Sequence, residues 1–555
     1  MKKRRLLLLP ALFLSVLASL SFWPLTHEAR AIPAYPEMLI HSQSNGDVIN
    51  YYIKGDEFLN WMTDANGWLV SFGDTEETSA DLYQAEWISE NQAESARENV
   101  SEGVPEEESW PAMGVIKATT PLLDHKLTPP RPGGMPPNIR EEVPPEYLAH
   151  IAAEAAAWRD AASAAMREGA DSSASKSAPQ LIVRSPAAAV TRKGVVIYVR
   201  FPNDSRVRNV NFGVSDETFL NNYMFGSGDK SVASFYRDNT GGAAQIGPAN
   251  ESQGTANDGV IVVNLSGNHG NWGGSIGGTW ASDLFAAALQ GAAPYINFAS
   301  YDTNNDGTIE PTELFIALVV QGGESSYGDN IPSVWGLSVR WSNPGVSISG
   351  ISKRFVNVFQ QGATQGGRPL TIGIGAHELG HALFGFPDLY DVGGNCPGFG
   401  YWSLMAQGSW SYQSGERPGA TPSMIDAYCL YSAGLVTPDA ILNSSSSGTY
   451  TASGHTGIYR VSASSPNQYF LLQPRDAATP RDRGAFYMIP SGGVYSSYLR
   501  KGLMIIHVDQ SVTGSFNSGA QPHPGRAVEE AHGGGFNLLY PKYNTNAGGN
   551  NGDIA

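Results

Sequence analysis

The feature that most restricts the fold of this 555-residue chain is the pentapeptide His-Glu-Leu-Gly-His at residues 377–381. On an α-helix, side chains at positions i and i+4 lie one above the other, so His377 and His381 can reach one ion. The flanking residues are alanine and leucine, the small or apolar types that a buried helix needs. The sequence therefore predicts a buried helix that binds a metal.

The type of metal follows from the ligands. Two neutral imidazoles and an oxygen suit zinc, whose tetrahedral site leaves a fourth position for water. Glu378 lies just outside this set, where it can take a proton from water held by the metal. We therefore predict Zn²⁺ as the catalytic cofactor and Glu378 as the catalytic residue.

The third zinc ligand is expected shortly after the helix. Gly385 can take the left-handed conformation that ends a helix, and Pro387 prevents the helix from resuming. The chain then turns back and presents an acidic side chain, for which we choose Asp388. Asp391 is the rival, since it could bind the metal or instead orient a histidine, and a more distant glutamate remains open.

A string of ten residues at 401–410, Tyr-Trp-Ser-Leu-Met-Ala-Gln-Gly-Ser-Trp, places Met405 in an aromatic-flanked loop. Together with the Gly-Phe-Pro-Asp-Leu-Tyr-Asp ending of the helix, it resembles the immune inhibitor A family of secreted bacterial metallopeptidases. The resemblance implies a metzincin-like catalytic domain in which Met405 forms a Met turn beneath the zinc. Residues 32–67, 234–237 and 502–509 are also similar to the family, so the resemblance covers most of the chain.

The chain departs from the family at two points. Three residues separate His381 from Gly385, where two are usual, and this shifts Asp388 one step later. Gln473 occupies a position at which an acidic residue is more usual. The first departure bears on the third ligand and not on the two histidines.

A second ion site is predicted at residues 302–313, which carry oxygen ligands at loop positions 1, 3, 5, 9 and 12 and a glycine at position 6. Structural Ca²⁺ would be bound by the side chains at positions 1, 3, 5 and 12, which are Asp302, Asn304, Asp306 and Glu313, and by the backbone carbonyl of Thr308 at position 7. The alternative is an Asp/Asn-rich surface turn. The apolar run after the loop predicts a strand instead of the second helix of an EF-hand.

The N-terminus predicts export. Basic residues 2–5, an apolar stretch at 6–23 and Ala-Arg-Ala at 29–31 fit a signal peptide that is cleaved before Ile32. An uncleaved membrane anchor is the alternative. We expect a secreted, extracellular protein with no stable membrane insertion after cleavage.

Composition shifts divide the remainder into three parts. Residues 32–180 combine hairpin patterns, a Pro-rich connector and an Ala-rich helix, and we interpret them as a propeptide, with an accessory domain as the alternative. Within residues 181–440, apolar runs at 194–202, 260–265 and 314–320 predict strands and the stretch 280–290 predicts a helix. This alternation predicts an α/β (α+β) catalytic domain. Residues 441–555 predict a β-rich continuation that lacks a closing element.

The function that fits best is a secreted zinc endopeptidase that acts on polypeptides, is made as a zymogen and is stabilised by calcium. The net charge of −17 excludes a generic nucleic-acid binder. The alternatives are a calcium-dependent extracellular binding protein with an inactive peptidase-like domain, against which the presence of Glu378 speaks, and a hydrolase of non-peptide amides. Cleavage specificity and oligomeric state cannot be read from the sequence.

The chain has two cysteines, Cys396 and Cys429, which bracket Met405. Export would permit a disulfide between them, but their separation in space is not given by the sequence. Neither lies in the predicted propeptide, so a cysteine cannot block the zinc from there. Any latency must therefore come from another group.

Overall fold

The computed structural model describes a mixed α/β protein. The described residues are 27–55, 60–65, 69–72, 82–88, 115–121, 190–207, 209–270, 280–329, 332–341, 345–390, 398–443, 446, 449–450, 456–479, 482–488, 501–511 and 526–528. Most of the predicted signal segment, the predicted Ala-rich helix at 147–168 and the residues after 528 lie outside this part.

The strands in chain order are β1 (His27–Ala31), β2 (Leu39–Ser42), β3 (Val48–Gly55), β4 (Asn60–Asp64), β5 (Leu69–Phe72), β6 (Leu82–Ile88), β7 (Val115–Pro121), β8 (Val190–Arg200), β9 (Ala244–Pro248), β10 (Val260–Asn264), β11 (Thr308–Ile309), β12 (Phe315–Glu324), β13 (Ser333–Val334), β14 (Leu337–Trp341), β15 (Val346–Ser347), β16 (Arg354–Phe355), β17 (Asn357–Gln365), β18 (Arg368–Pro369), β19 (Ala440–Leu442), β20 (Tyr459–Ser462), β21 (Gln468–Asp476), β22 (Lys501–Asp509) and β23 (Arg526–Val528). The α-helices are α1 (Asp216–Phe225), α2 (Val232–Asn239), α3 (Trp280–Ala292), α4 (Ile372–Phe384), α5 (Ala427–Ser432) and α6 (Arg483–Met488). Short 3-10 helices lie at Phe298–Tyr301, Ser325–Tyr327, Gly400–Trp402 and Gln407–Trp410.

The central sheet has the order β1-β14-β17-β12-β8-β10, with β9, β13 and β18 attached to β8, β12 and β17. Strands β17, β12, β8 and β10 run parallel to one another. At one edge, β14 runs antiparallel to both of its neighbours, β17 and β1. Every residue of β12 is buried, which is typical of a parallel strand covered on both faces. The predicted strands at 194–202, 260–265 and 314–320 and the predicted helix at 280–290 are confirmed.

The sheet separates two hydrophobic clusters because side chains alternate between its faces. On β8, Val196 and Tyr198 face one cluster and Val195 and Ile197 face the other. Helix α4 lies on the first face, as do α1, α2 and α5. Side chains of β21 and β22 belong to this same cluster, so the core around α4 continues beyond residue 440.

Two further sheets lie before and after the central one. Strands β2 to β7 form an antiparallel sheet whose first hairpin turns at Asn45 and Gly46, where Gly46 has a left-handed φ of 93°. Strands β19 to β23 form a five-stranded sheet in the described part of the chain after residue 439. Within the described residues, no helix has both the length and the apolar composition needed to cross a bilayer.

Candidate metal centre

Helix α4 carries the two predicted histidines, and its end is shaped by Gly385. Gly385 adopts φ +64°, donates its N–H to the His381 carbonyl at 3.1 Å, and lets the Phe386 N–H reach the Gly380 carbonyl at 3.2 Å. This is the glycine-dependent ending that the sequence predicts, and it is confirmed. The chain reverses here and brings Asp388 back beside the helix.

Three side chains converge at the end of α4. His377 Nε2 lies 3.1 Å from His381 Nε2, and Asp388 Oδ1 lies 3.2 and 3.1 Å from these two atoms. Among the described residues, this is the group of three histidine, cysteine or acidic side chains whose ligand atoms lie close enough to hold one ion. The histidine side chains are buried, while the Asp388 side chain is 24% exposed and faces solvent.

The second nitrogen of each ring fixes its tautomer. His377 Nδ1 lies 3.0 Å from the Leu404 carbonyl, and His381 Nδ1 lies 2.6 Å from the Phe386 carbonyl. A neutral imidazole in either place donates from Nδ1 and keeps its lone pair on Nε2. Two lone pairs and a carboxylate oxygen therefore face one another, an arrangement that requires a cation or added protons.

The spacing fits a small tetrahedral cation. Bonds of about 2.0–2.1 Å at tetrahedral angles separate ligand atoms by about 3.3 Å, close to the 3.1–3.2 Å found here. Burial raises the pKa of Asp388, but His381 and His377 in their protonated form outweigh it and hold that pKa well below the usual range. The carboxylate is therefore ionised and ready to bind a cation.

Glu378 is fully buried on the same helix. Burial raises the pKa of Tyr236 and of Tyr223, and the charge of Glu378 raises both further, so its carboxylate lies near these two rings. Tyr236 also donates to the Ala376 carbonyl at 2.5 Å and thereby fastens α2 to α4. One buried tyrosine from α1 and one from α2 therefore neighbour Glu378.

Met405 packs directly against α4. A Cβ added at Gly380 would lie 3.1 Å from Met405 Sδ, 2.8 Å from Phe386 Cδ2 and 3.0 Å from Tyr236 Oη, so the thioether is one of three groups packed on this glycine. The Met405 carbonyl accepts the Leu389 N–H at 2.7 Å, which links residues 401–410, here called the methionine loop, to the segment that carries Asp388. The loop therefore contacts both the helix and the third member of the cluster.

Two residues weighed in the sequence fall outside the described part. Asp391, the rival ligand, is one, and Cys396 is the other. Cys429 is described: it is a buried free thiol in α5, and burial raises its pKa far above the usual value.

The predicted calcium loop has a sharply bent backbone, with left-handed φ values at Asn305 and Gly307. Its polar side chains turn inward and accept backbone N–H groups of the loop, as Asp302 Oδ1 does from Asp306 at 3.1 Å. Asp302 Oδ2 is 2.5 Å from Lys353 Nζ, which supplies a positive charge and lowers the pKa of Asp302. The loop carboxylates are spaced more widely than the ligand atoms of the α4 cluster.

Sequence reasoning missed the groups that orient the cluster. The carbonyls of Leu404 and Phe386 hold the two rings, and a backbone carbonyl has no signature in a sequence. Ser403 and Asp426, whose side chains are 2.7 Å apart behind the methionine loop, were also missed. The serine just before Leu404 was the available hint.

Comparison with known families gives one match in this region. Residues 293–435 match the catalytic domain of the immune inhibitor A peptidase M6 family, which confirms the predicted resemblance for that segment. The matched span includes all three cluster residues, Met405 and the calcium loop. A search of curated proteins found no match.

Proposed function

Because residues 293–435 match the catalytic domain of the immune inhibitor A peptidase family and contain a group of side chains that could hold a metal ion, we propose that this protein is a secreted zinc endopeptidase, made as a zymogen and stabilised by calcium. Its substrates are polypeptides, as the peptidase family implies. The observation that carries the zinc assignment is the triangle of two Nε2 atoms and one carboxylate oxygen. That donor set and its size suit tetrahedral zinc.

In this proposal the ion is held by His377, His381 and Asp388. When bound, zinc polarises the scissile carbonyl and lowers the pKa of water to about 7. Glu378 takes the proton from the attacking water and delivers it to the leaving amine nitrogen. Its full burial keeps the carboxylate away from bulk solvent.

The two rings have different supports. His377 is oriented by the methionine loop through Leu404, whereas His381 is oriented by its own helix end through Phe386. Each carbonyl accepts a hydrogen bond from Nδ1–H, so Nε2 keeps its lone pair and can bind metal without a preceding proton loss. Asp388 adds a negative charge that offsets part of the charge of a divalent cation.

Calcium stabilisation is supported by the loop pattern and by the bend at Asn305 and Gly307. Secretion is supported by the signal-like N-terminus. The zymogen proposal is supported by the way the N-terminal segment packs on the catalytic domain. The Trp335 indole donates to the Ile32 carbonyl at 3.0 Å, and that of Trp410 donates to the Pro33 carbonyl at 2.8 Å.

The deciding experiment uses the purified protein after removal of residues 32–180, with zinc and calcium present. We expect it to cleave casein, a chelator to stop cleavage, and added zinc to restore it. Glu378→Gln should abolish cleavage while zinc binding persists, because the amide cannot accept the proton. If the wild type leaves casein intact and the variant behaves identically, the peptidase proposal is wrong and a binding protein is favoured. Hydrolysis of small acyl amides alone would favour the non-peptide alternative.

A further inference from the structure

Strand β21 of the C-terminal sheet presents two polar side chains to the core. Gln473 and Arg475 are 0% and 1% exposed and lie on the strand's buried face, beside Tyr469 and Leu471. Burying an amide and a guanidinium is costly unless each finds partners. Both find them around the loop that carries Met405.

Arg475 is one of two side chains of β21 that are linked to this loop by hydrogen bonds. Its guanidinium pairs with Asp482, from Nε to Oδ1 at 2.9 Å and from Nη2 to the same oxygen at 2.5 Å. The fork fixes the plane of the guanidinium, and Nη1 then donates to the Trp402 carbonyl at 2.8 Å. Arg475 also lies over the Trp402 ring, 5.2 Å from its centre.

Gln473 is the second of these two side chains. Its Nε2 donates to the Ile425 carbonyl, and its Oε1 accepts the Ala427 N–H, both at 3.1 Å. These two backbone groups flank Asp426, so the amide holds that residue from both sides. Asp426 in turn accepts from Ser403 Oγ at 2.7 Å, and Ser403 Oγ accepts the Met405 N–H at 2.9 Å.

The hydrogen bonds of Arg475 and Gln473 therefore lead to residues on either side of Leu404. Arg475 holds Trp402 before it, and the chain from Gln473 through Asp426 and Ser403 holds Met405 after it. The Leu404 carbonyl between them is the group that faces His377 Nδ1 at 3.0 Å. Fixing this carbonyl fixes the angle and tautomer of the His377 ring.

We propose that Gln473 and Arg475 are positioning residues of the metal centre, which act on His377 through residues 402–405. The C-terminal sheet is then part of the catalytic apparatus and not a separate appendage. This inference rests on the proposed zinc function. It goes beyond that function because it assigns a role in metal binding to residues that do not touch the metal.

A structural role alone would act on stability, not on the metal. A buried ion pair is often no more stabilising than apolar residues of the same size, so stability cannot distinguish the two roles. Metal affinity and ligand geometry can. Loss of groups that orient a ligating histidine costs about 10- to 100-fold in metal affinity or activity.

The test uses the full-length protein stripped of metal. Zn²⁺ affinity is measured by competition with a chelator, and the visible spectrum of bound Co²⁺ reports ligand geometry. Gln473→Leu keeps a similar size but removes both bonds to the residues beside Asp426, and Arg475→Lys keeps the charge but loses the fork. Gln468→Leu is the matched control: Gln468 lies on the same strand and bonds Asp509 at 2.5 Å, away from residues 402–405.

We expect Gln473→Leu and Arg475→Lys to bind Zn²⁺ about 10- to 100-fold more weakly, with an altered Co²⁺ spectrum. Once the propeptide is removed, kcat should fall at unchanged KM. Gln468→Leu should bind metal like the wild type even if it melts earlier. Should Arg475→Lys fail to fold, Gln473→Leu and Ser403→Ala decide. Wild-type affinity and spectra in those variants overturn this inference alone, whereas a wild type that binds no metal overturns the proposed function.

Discussion

At the scale of the residue, the metal centre depends on which atoms carry protons. The Nδ1 contacts of His377 and His381 with backbone carbonyls leave both Nε2 atoms as acceptors. Asp388 adds a third acceptor and is the member that faces solvent. Its charge is therefore the part of the cluster that a single conservative substitution removes most cleanly.

Asp388→Asn keeps the size of the side chain and removes its charge. We expect Zn²⁺ to bind about 100-fold more weakly or worse, because a neutral amide oxygen is a poor replacement for a carboxylate ligand. Chelator competition on the purified protein measures this. Asp391→Asn is the control, and a larger loss there than at Asp388 would make Asp391 the third ligand.

A second residue-scale prediction concerns Glu324, which is fully buried at the end of β12. Burial raises its pKa to about 7, although hydrogen bonds from donors that include the N–H groups of Gly362 and Gly336 act to lower it. Because the folded pKa lies above that of the unfolded chain, its contribution to stability is full below about pH 4.5. It is lost as the pH rises through about 7, a change of about 3 kcal/mol.

Glu324→Gln should remove this dependence, since the amide does not titrate. The free energy of unfolding, measured by denaturant at about pH 5 and about pH 7.5, should fall less across this interval in the variant than in the wild type. Asp329, whose pKa is raised to about 6, is present in both proteins and cancels in the comparison. Equal slopes would show that Glu324 does not titrate in this range.

At the scale of the element, α4 brings the cluster together because its C-terminal end has a fixed backbone conformation as well as two histidines in register. Gly385 allows the left-handed residue that returns the chain, and Phe386 and Asp388 follow within three positions. Such local features can be predicted from the sequence because they depend on neighbours along the chain. The pentapeptide, the glycine and the proline are all visible there.

Gly385→Ala tests the helix end. An alanine forced to φ +64° costs about 1–2 kcal/mol, and no atom lies within 4 Å of the added Cβ, so the cost comes from the backbone. Gly434→Ala after α5 is matched, with φ +66° and the same open space. We expect similar losses of Tm in both variants but weaker Zn²⁺ binding only in Gly385→Ala. Equal zinc affinity would show that the helix end does not position Asp388.

The calcium loop gives the second prediction at this scale. Lys353 places its ammonium 2.5 Å from Asp302 Oδ2, so Ca²⁺ must compete with a charge already present. Lys353→Met should therefore raise calcium affinity by about tenfold, as expected when a like charge is removed beside a bound cation. Isothermal titration with Ca²⁺ measures the change. Asp302→Asn should abolish binding, and no calcium uptake by wild type or Lys353→Met would leave the loop an ordinary turn.

At the scale of the whole molecule, the structure adds what the sequence could not supply. Strand types, helix α3 and the α4 motif were predictable, but contacts between distant segments were not. Arg475 meets Trp402 across 73 positions, and Tyr236 meets Ala376 across 140. Such pairs depend on how the layers pack, and no residue type or spacing marks them. For this reason the predicted boundary at residue 440 could not reveal that the core continues across it.

The last prediction concerns how the N-terminal segment is attached. Trp410 is fully buried, donates to the Pro33 carbonyl and lies edge-on to Tyr35, 5.4 Å between ring centres. Trp410→Phe keeps an aromatic ring but removes the donor, which costs about 1–3 kcal/mol for a buried carbonyl. Amide exchange in residues 32–37 should then quicken about tenfold or more in hydrogen-exchange mass spectrometry.

The control is Trp341→Phe, which replaces a buried tryptophan of β14 that packs on Phe285. If residues 32–37 exchange alike in the wild type and Trp410→Phe, the indole does not anchor this segment.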